Sequence, residues 1–339
     1  MKNPFLNDRE RRLRAFWRLL LQYVLFINGT VVLVAVFGLA SLAIFEGTGL
    51  GEDPIGTLAA SPAIQTTSYV AASLVAGIAS VWLAGRFFDR RPFSGFGLRF
   101  DRVWWLEFCF GLALGALLMT AIFFLELAAG WIIVTGTFET IGNGSPFALA
   151  ILLPLVVFVC VGFYEELLAR GYQLQNMAEG FNSPSLGPKK AIILAWVLSS
   201  ALFGLLHFAN PNASLVSTLS ITFAGLLLGT GYVLTGRLAI PIGLHITWNF
   251  FQGNVFGFPV SGLEPLSATF VSIEQGGPSL FTGGAFGPEA GLLDPAATIV
   301  GSLLIWLWVR ACSGGGSLEL SIAEPPHGRA EEAKTSSEA

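Results

Sequence analysis

Two adjacent glutamates, Glu165 and Glu166, close a long apolar run that carries no charge, and Arg170 follows four positions later. Neighbouring positions on a helix project about 100° apart, so the two carboxylates must serve different surroundings. Glu166 and Arg170 share a face, with the acid on the N-terminal side, the better orientation for an ion pair. Glu165 is left without a partner nearby in sequence, which suits a general base. The chain has 3 histidines, and His327 lies in the polar C-terminal stretch. His207 ends the run Phe203-Gly204-Leu205-Leu206-His207, with Phe203 one turn back on the same face, and His245 stands four residues before Asn249. Two histidines, a glutamate pair and an asparagine within apolar stretches form a more improbable set than any one of them alone. The structural alternative is a buried polar network that only stabilises the protein. One shared polar cavity would account for the whole set.

The elements that must hold these residues are membrane spans. Hydrophobic residues make up 53% of the 339, charged residues 12%, and the mean hydropathy is +0.68. A soluble chain carries roughly 25% charged residues, so this one reads as an integral membrane protein. The net charge of -4 comes from 22 acidic and 18 basic residues. No strongly basic domain of the kind that binds nucleic acid stands out. Crossing a bilayer takes about 20 mostly apolar residues. Eight stretches qualify: Leu20–Phe45, Thr66–Gly85, Trp104–Gly130, Phe147–Gln175, Ala191–Ala209, Ser214–Thr235, Leu238–Phe256 and Leu292–Val309. The second is the least apolar. The first is too long for the apolar core of a signal peptide and reads as a retained span. With a cytoplasmic N-terminus, eight crossings put all 18 basic residues on or toward the cytoplasmic side, as membrane insertion favours. The expected fold is therefore an all-α, polytopic transmembrane bundle of about eight spans with both termini cytoplasmic.

The chain divides into residues 1–146 with helices one to three, a core at 147–256 with helices four to seven, a loop at 257–291, a last span at 292–312 and a tail at 313–339. The loop is rich in Gly, Pro, Ser and Thr, which predicts little regular structure. Its Phe258, Phe270, Phe281 and Phe286 are candidates to pack over the outer mouth or to enter the interface. The tail, with its Gly, Ser, Glu, Ala and Pro-Pro, predicts disorder. Cys109, Cys160 and Cys312 are far apart and make no CxxC pair, so they read as filler. Glu107 lies one turn from Arg102, and Glu126 is ~36 Å of helix from Arg102, which puts both near the ends of their span and calls for no special role. The pairs Gly111/Gly115 and Gly225/Gly229 suit close helix packing.

The patterns EExxxR, FxxxH and HxxxN, in that order on successive spans, resemble the three motifs of the CPBP family (CAAX protease and bacteriocin-processing, also called Abi). These are intramembrane endopeptidases related to the Rce1-type CAAX prenyl protease. All three patterns are complete here, as Glu165-Glu166 with Arg170, Phe203 with His207, and His245 with Asn249. The resemblance implies peptide-bond hydrolysis within the membrane. Glu165 and His207 would activate the attacking water, and His245 and Asn249 would donate to the oxyanion of the tetrahedral intermediate. Glu166 and Arg170, with Phe203, would support them, orienting Glu165 from behind. It also implies a hydrophobic or lipidated peptide or protein as substrate, with membrane lipid around it. Members are often described as metalloproteases, and Glu165, His207 and His245 would be the zinc ligands. The chain has no HExxH motif, and an asparagine fits an oxyanion better than zinc, so no cofactor is the favoured reading and Zn²⁺ the alternative.

Two other functional classes remain open from sequence. One is a non-enzymatic membrane protein that binds a peptide or confers bacteriocin immunity. The other is a transporter or proton path, against which stands the lack of an inverted repeat and of paired broken helices. A tension in depth also remains. His207 lies ~26 Å along its helix from Lys190, whereas His245 lies only ~12 Å from Arg237. If the two share a cavity, the start of the seventh span must be recessed or the helices must tilt differently.

Overall fold

The computed structural model describes residues 3–7, 10, 12–48, 61–140 and 145–326. Within them the chain is mostly helical, and seven helices are long and apolar enough to cross a membrane. We label them in chain order, with two strands and one shorter helix. Helix α1 is Ala15–Thr48, α2 Pro62–Ala84 and α3 Arg102–Ala128. Strand β1, Ile132–Thr140, precedes the long rod α4, Phe147–Phe181. Then come α5, Gly187–Leu206, α6, Leu215–Thr235, and α7, Ala239–Phe250. Strand β2 is Ala268–Gln275, and α8, Leu293–Ser313, closes the bundle. The chain is a multi-pass integral membrane protein.

Local chemistry sets several of these boundaries. Asp101 accepts the backbone N–H of Trp104 at 2.8 Å and starts α3, supplying one of the partners that a helix N-terminus lacks. Ser214 and Ser217 satisfy each other's backbone N–H in a capping box at the start of α6. That helix stops at Gly236, whose φ of 65° is a left-handed conformation that favours glycine.

One of the eight expected spans is not of membrane length. The seventh is α7, 12 residues of α-helix followed by a five-residue π-helical turn, Phe251–Val255. Its first residues, Ala239 and Ile240, and the preceding Leu238 are fully buried. A helix wrapped by its neighbours need not match the thickness of the hydrocarbon, so its length is free of that constraint. The recessed start is fixed by Leu238 N–H donating to Gly97 O at 3.0 Å. Arg237 meets Glu107, inside α3, at 3.0 Å. This resolves the depth tension: α7 begins inside the bundle, so His245 sits deeper than its distance from Arg237 suggests. Glu107 therefore has a specific structural partner that its own helix did not reveal.

Helices α3 and α7 touch backbone to backbone because glycines line the seam. A Cβ at Gly111 would lie 2.5 Å from Ile240 O, and Gly115 and Gly243 are as tightly placed against Leu244 O and Phe108 O. Thr247 Oγ1 donates to Leu112 O at 2.8 Å across the same seam. Gly225 and Gly229 pack in the same way against Ser200 and Trp196 of α5. Both glycine pairs are thus spent on contacts inside the chain.

One end of the bundle gathers basic side chains. Arg12 and Arg18 of the N-terminal segment, Arg91 after α2 and Glu179 at the end of α4 form one buried cluster. Arg18 also bonds Asp89 at 2.7 Å, and Tyr172 donates to the other Asp89 oxygen at 2.7 Å. The segment from residue 313, expected to be disordered, packs onto this end as far as it is described. Glu319 N–H donates to Val233 O at 2.9 Å, and Ile322 and Ala323 are buried. Its scattered apolar residues were enough to anchor it. Residues 327–339, with His327, Arg329 and Lys334, lie outside the described residues.

The opposite end carries a two-stranded antiparallel ribbon, which the sequence analysis did not foresee. Strand β1 pairs with β2 from Ile132↔Gln275 to Thr140↔Ala268, with an irregularity between Val134 and Gly136. The segment 257–291, expected to be irregular, thus contributes a strand whose β-branched and aromatic residues suit it. Gln275 donates from the ribbon to Glu126 at 3.1 Å, which gives that buried acid a partner. Phe258 and Phe286 are buried, Phe281 packs on Trp131, and Phe270 packs between Phe138 and Phe147.

The glycine seam gives a direct test. Gly111→Ala must push α3 and α7 apart, and overpacking of this kind costs about 1–3 kcal/mol. Gly38→Ala in α1 would meet nothing within 4 Å and should be neutral or stabilising by about 0.5–1 kcal/mol. Thermal unfolding of both variants in detergent should show a drop in the first and none in the second.

Candidate active site

The motif residues come from three helices, α4, α5 and α7. Leu152–Glu166 is α-helical and ends at the glutamate pair, where a π-helical stretch, Leu167–Leu174, takes over. A second π-helical turn follows Asn249 on α7. Such widened turns change the phase of a helix and are frequent at functional sites. His207 sits where α5 tightens into a 3₁₀ turn, His207–Ala209.

Glu166 is completely buried, and one of its oxygens holds two partners. Oε1 accepts from Arg170 Nη1 at 2.7 Å and meets His245 Nδ1 at 2.8 Å. The ion pair within one helix face is as expected. The partner on α7 was not foreseen: Glu166 also meets His245, 79 residues further along the chain. Arg170, also buried, donates to Gly225 O on α6 at 3.0 Å, and its guanidinium lies 4.5 Å from the centre of the Phe203 ring. Phe203 in turn packs on both imidazoles, at 4.7 Å from His207 and 6.2 Å from His245 between ring centres. The first motif, the second and the third are joined through this one charge network.

Glu165 is the more open carboxylate, with 21% of its side chain exposed. Tyr164 OH donates to its Oε1 at 3.2 Å, while Oε2 faces His245 Nε2 at 3.9 Å. Tyr164 is the orienting residue that sequence reasoning missed, although it stood next to the glutamate in the first motif. His207 Nδ1 lies 2.8 Å from Phe203 O. A carbonyl can only accept, so Nδ1 carries the proton and Nε2 of the neutral ring is free to take one. By the same reasoning His245 Nδ1 donates to Glu166.

Glu165, His207, His245 and Asn249 all line one cavity of about 690 Å³. Its remaining wall is mostly apolar and comes from α1, α2, α4, α5, α6, α7 and the loop 257–291. Phe26, Tyr69, Val157, Leu227 and Trp248 are part of it. An apolar chamber with a few convergent polar groups is the usual form of a site for a greasy ligand. The zinc alternative needs Glu165, His207 and His245 as one ligand set. Among the described residues no three or more His, Cys, Asp or Glu side chains are gathered so as to hold a metal ion. No step is routed through a metal ion below.

Glu289 is the other residue that sequence reasoning did not single out. It comes from the loop 257–291, is buried, and lines the same cavity. It was visible in sequence only as one of several acids in that loop.

With this geometry in hand, comparison with known proteins is informative. Residues 147–251 match the family model described as type II CAAX prenyl endopeptidase Rce1-like. That stretch contains all three motifs, from Glu165 to Asn249, so the match falls on the residues that carry the resemblance read from the sequence. The uncharacterized protein YyaK of Bacillus subtilis (strain 168) is 26% identical over 212 residues, which cover 58% of this chain and 67% of that protein. No solved structure matches.

Removing one charge from a buried pair leaves the other without compensation, at about 3–5 kcal/mol. Glu166→Gln should therefore lower the stability of the detergent-solubilised protein by that order. Glu165→Gln, at the more open position, should stay within about 1 kcal/mol of wild type. Denaturation monitored for both variants checks the contrast, and equal losses would contradict the assignment of Glu166 as the buried anchor.

Proposed function

For this chain, similar to the CAAX-type intramembrane endopeptidases over residues 147–251, we propose hydrolysis of a peptide bond in a membrane-associated or lipidated peptide or protein. The observation that carries the proposal is the convergence of Glu165, His207, His245 and Asn249 on a single apolar-walled cavity. A water held between Glu165 and His207 is deprotonated as it attacks the scissile carbonyl carbon: the Glu165 carboxylate polarises it, and its proton goes to His207 Nε2. The oxyanion that forms is met by Asn249 and by His245 Nε2. For Nε2 to donate, the His245 ring must hold both protons, and the carboxylates of Glu165 and Glu166 flank it on two sides. The proton taken from water then passes to the leaving nitrogen, the C–N bond breaks, and a carboxylate and an amine depart. Donors fixed in place before charge develops are the main source of acceleration in such a site.

The apolar wall supports a substrate with a hydrophobic segment or a lipid chain beside the bond that is cut. The basic cluster joining Arg12, Arg18 and Arg91 at one end of the bundle supports placing that end, with both termini, in the cytoplasm. The similarity to a Bacillus protein supports the bacterial cytoplasmic membrane as its location. The competing reading, a membrane protein that binds a peptide without cutting it, uses the same cavity.

Quenched fluorescent peptides, some of them lipidated, separate the two. Loss of a general base typically removes about 10²–10⁴-fold, so Glu165→Gln should abolish cleavage while leaving peptide binding intact. Asn249→Ala should lower kcat by about 10²–10³-fold, as loss of an oxyanion donor does elsewhere. Cleavage that survives chelator supports the glutamate mechanism, and cleavage lost with chelator and restored by Zn²⁺ replaces it with a metal-dependent one. Equal cleavage by Glu165→Gln and wild type would overturn the role given to Glu165.

A further inference from the structure

Glu289 lies outside the residues 147–251 that match the family model, on a 3₁₀ turn, Pro288–Ala290. Its carboxylate is nevertheless built into the catalytic chamber. One oxygen accepts the backbone N–H of Ser261, and the side-chain amide of Gln252 also hydrogen-bonds to the carboxylate. Gln252 follows Asn249 by three residues on the π-helical turn of α7, and its Nε2 also donates to Pro259 O at 2.6 Å. The loop is clamped to the His207 side as well, by Asn210 Nδ2 donating to Ser261 O at 3.1 Å. Gly287 makes the turn possible: its φ is 110°, and a Cβ there would run into Pro259 O and sit 2.9 Å from Gln252 Nε2. A carboxylate held by two elements, each continuous with a catalytic segment, is placed by construction.

The charged neighbours of Glu289 are His207 and Asp294. Burial pushes the Glu289 carboxyl up from its ordinary range, while the Ser261 N–H and the charge of His207 act in the opposite direction. The other ionisable groups with carboxylate or imidazole side chains on the same cavity are Glu165, His245 and Glu264. His207 already gives Nδ1 to Phe203 O, an uncharged acceptor. Nothing in that bond balances the positive charge that appears when Nε2 takes a proton.

We infer that Glu289 is a positioning residue for His207, supplying from the loop the negative charge that stabilises the imidazolium formed when water is deprotonated. No bond to Glu289 forms or breaks. The proton moves from water to His207 Nε2 and on to the leaving nitrogen, while the Glu289 carboxylate stays ionised in the cavity wall that it shares with His207. The inference rests on the endopeptidase reading above and extends it, because it makes the segment 257–291 part of the reaction chamber's chemistry rather than a cover over it.

The test uses the full chain in detergent and a lipidated quenched peptide on which wild-type turnover has been measured. Glu289→Gln keeps an oxygen to accept Ser261 N–H, so a purely structural role predicts wild-type kinetics. The inference predicts a kcat lower by about 10–100-fold, within the range of acid–base contributions, with KM changed less than about twofold. Glu289→Asp, which retains the charge, should recover most of that loss. A Glu289→Gln enzyme with wild-type kcat, or one whose loss lies entirely in KM, overturns the inference, as does a Glu289→Asp enzyme no better than Glu289→Gln. Glu165→Gln in the same assay separates the two levels. If it is inactive while Glu289→Gln is fully active, only this inference fails. If it is fully active, the endopeptidase reading fails, and the role of Glu289 with it.

Discussion

A carboxylate with no access to water must be met by charge and hydrogen bonds from the protein, and Glu166 sits under that constraint. Its single oxygen Oε1 is shared between Arg170 Nη1 and His245 Nδ1, at 2.7 and 2.8 Å. Arg170 passes the tie onward, through a donor to Gly225 O and through its face to the Phe203 ring. A planar cation with several fixed donors and an aromatic-stacking face suits such a junction, where lysine would not. The result is that α4, α5, α6 and α7 meet at one buried charge. A structure that keeps a buried ion pair gains little stability over an apolar core of the same shape. What it gains here is a defined orientation of His245 within a chamber otherwise lined by side chains that cannot orient anything.

The surrounding architecture serves that junction. Helix α7 can start deep in the bundle because Leu238 hangs from Gly97 O and Arg237 is met by Glu107. It can lie close to α3 because Gly111, Gly115 and Gly243 remove the side chains that would hold the backbones apart. Two π-helical stretches fall immediately after the glutamate pair and shortly after Asn249, and His207 opens a 3₁₀ turn, so each motif lies beside an irregular turn. On the far side the segment 257–291 is fastened by Gln252, by Asn254, whose Nδ2 donates to Leu266 O at 2.9 Å, and by the ribbon pairing with β1. The loop is therefore a wall of the cavity with fixed attachments.

Much of this was readable from the residues. The spacing of Glu166 and Arg170 announced their ion pair, and the spacing of Phe203 and His207 announced a shared face. The low charge content announced a membrane bundle. That the stretch Leu238–Phe256 is wrapped by its neighbours was not legible, since an apolar stretch wrapped by protein looks the same in sequence as one facing lipid. The ribbon was missed because each strand is an isolated segment among Gly and Pro, and strand pairing between residues more than a hundred apart leaves no local signal. The partner of Glu166 was missed for a related reason. His245 is 79 residues away on another helix, and no local spacing reveals that contact. Glu289 lay in a loop whose composition spoke only of irregularity, so its place beside His207 had to come from tertiary structure.

The central claim is that four side chains from three helices bind one tetrahedral centre inside the membrane. The most direct measurement is a structure of the protein bound to a lipidated peptide phosphonate, whose charged oxygens copy the tetrahedral intermediate. The account predicts one phosphonate oxygen within hydrogen-bond distance of Asn249 and His245 Nε2, another beside Glu165 and His207, and the lipid chain along the apolar wall. A phosphonate bound outside this cavity, or bound within it through a metal ion held by Glu165, His207 and His245, would contradict it.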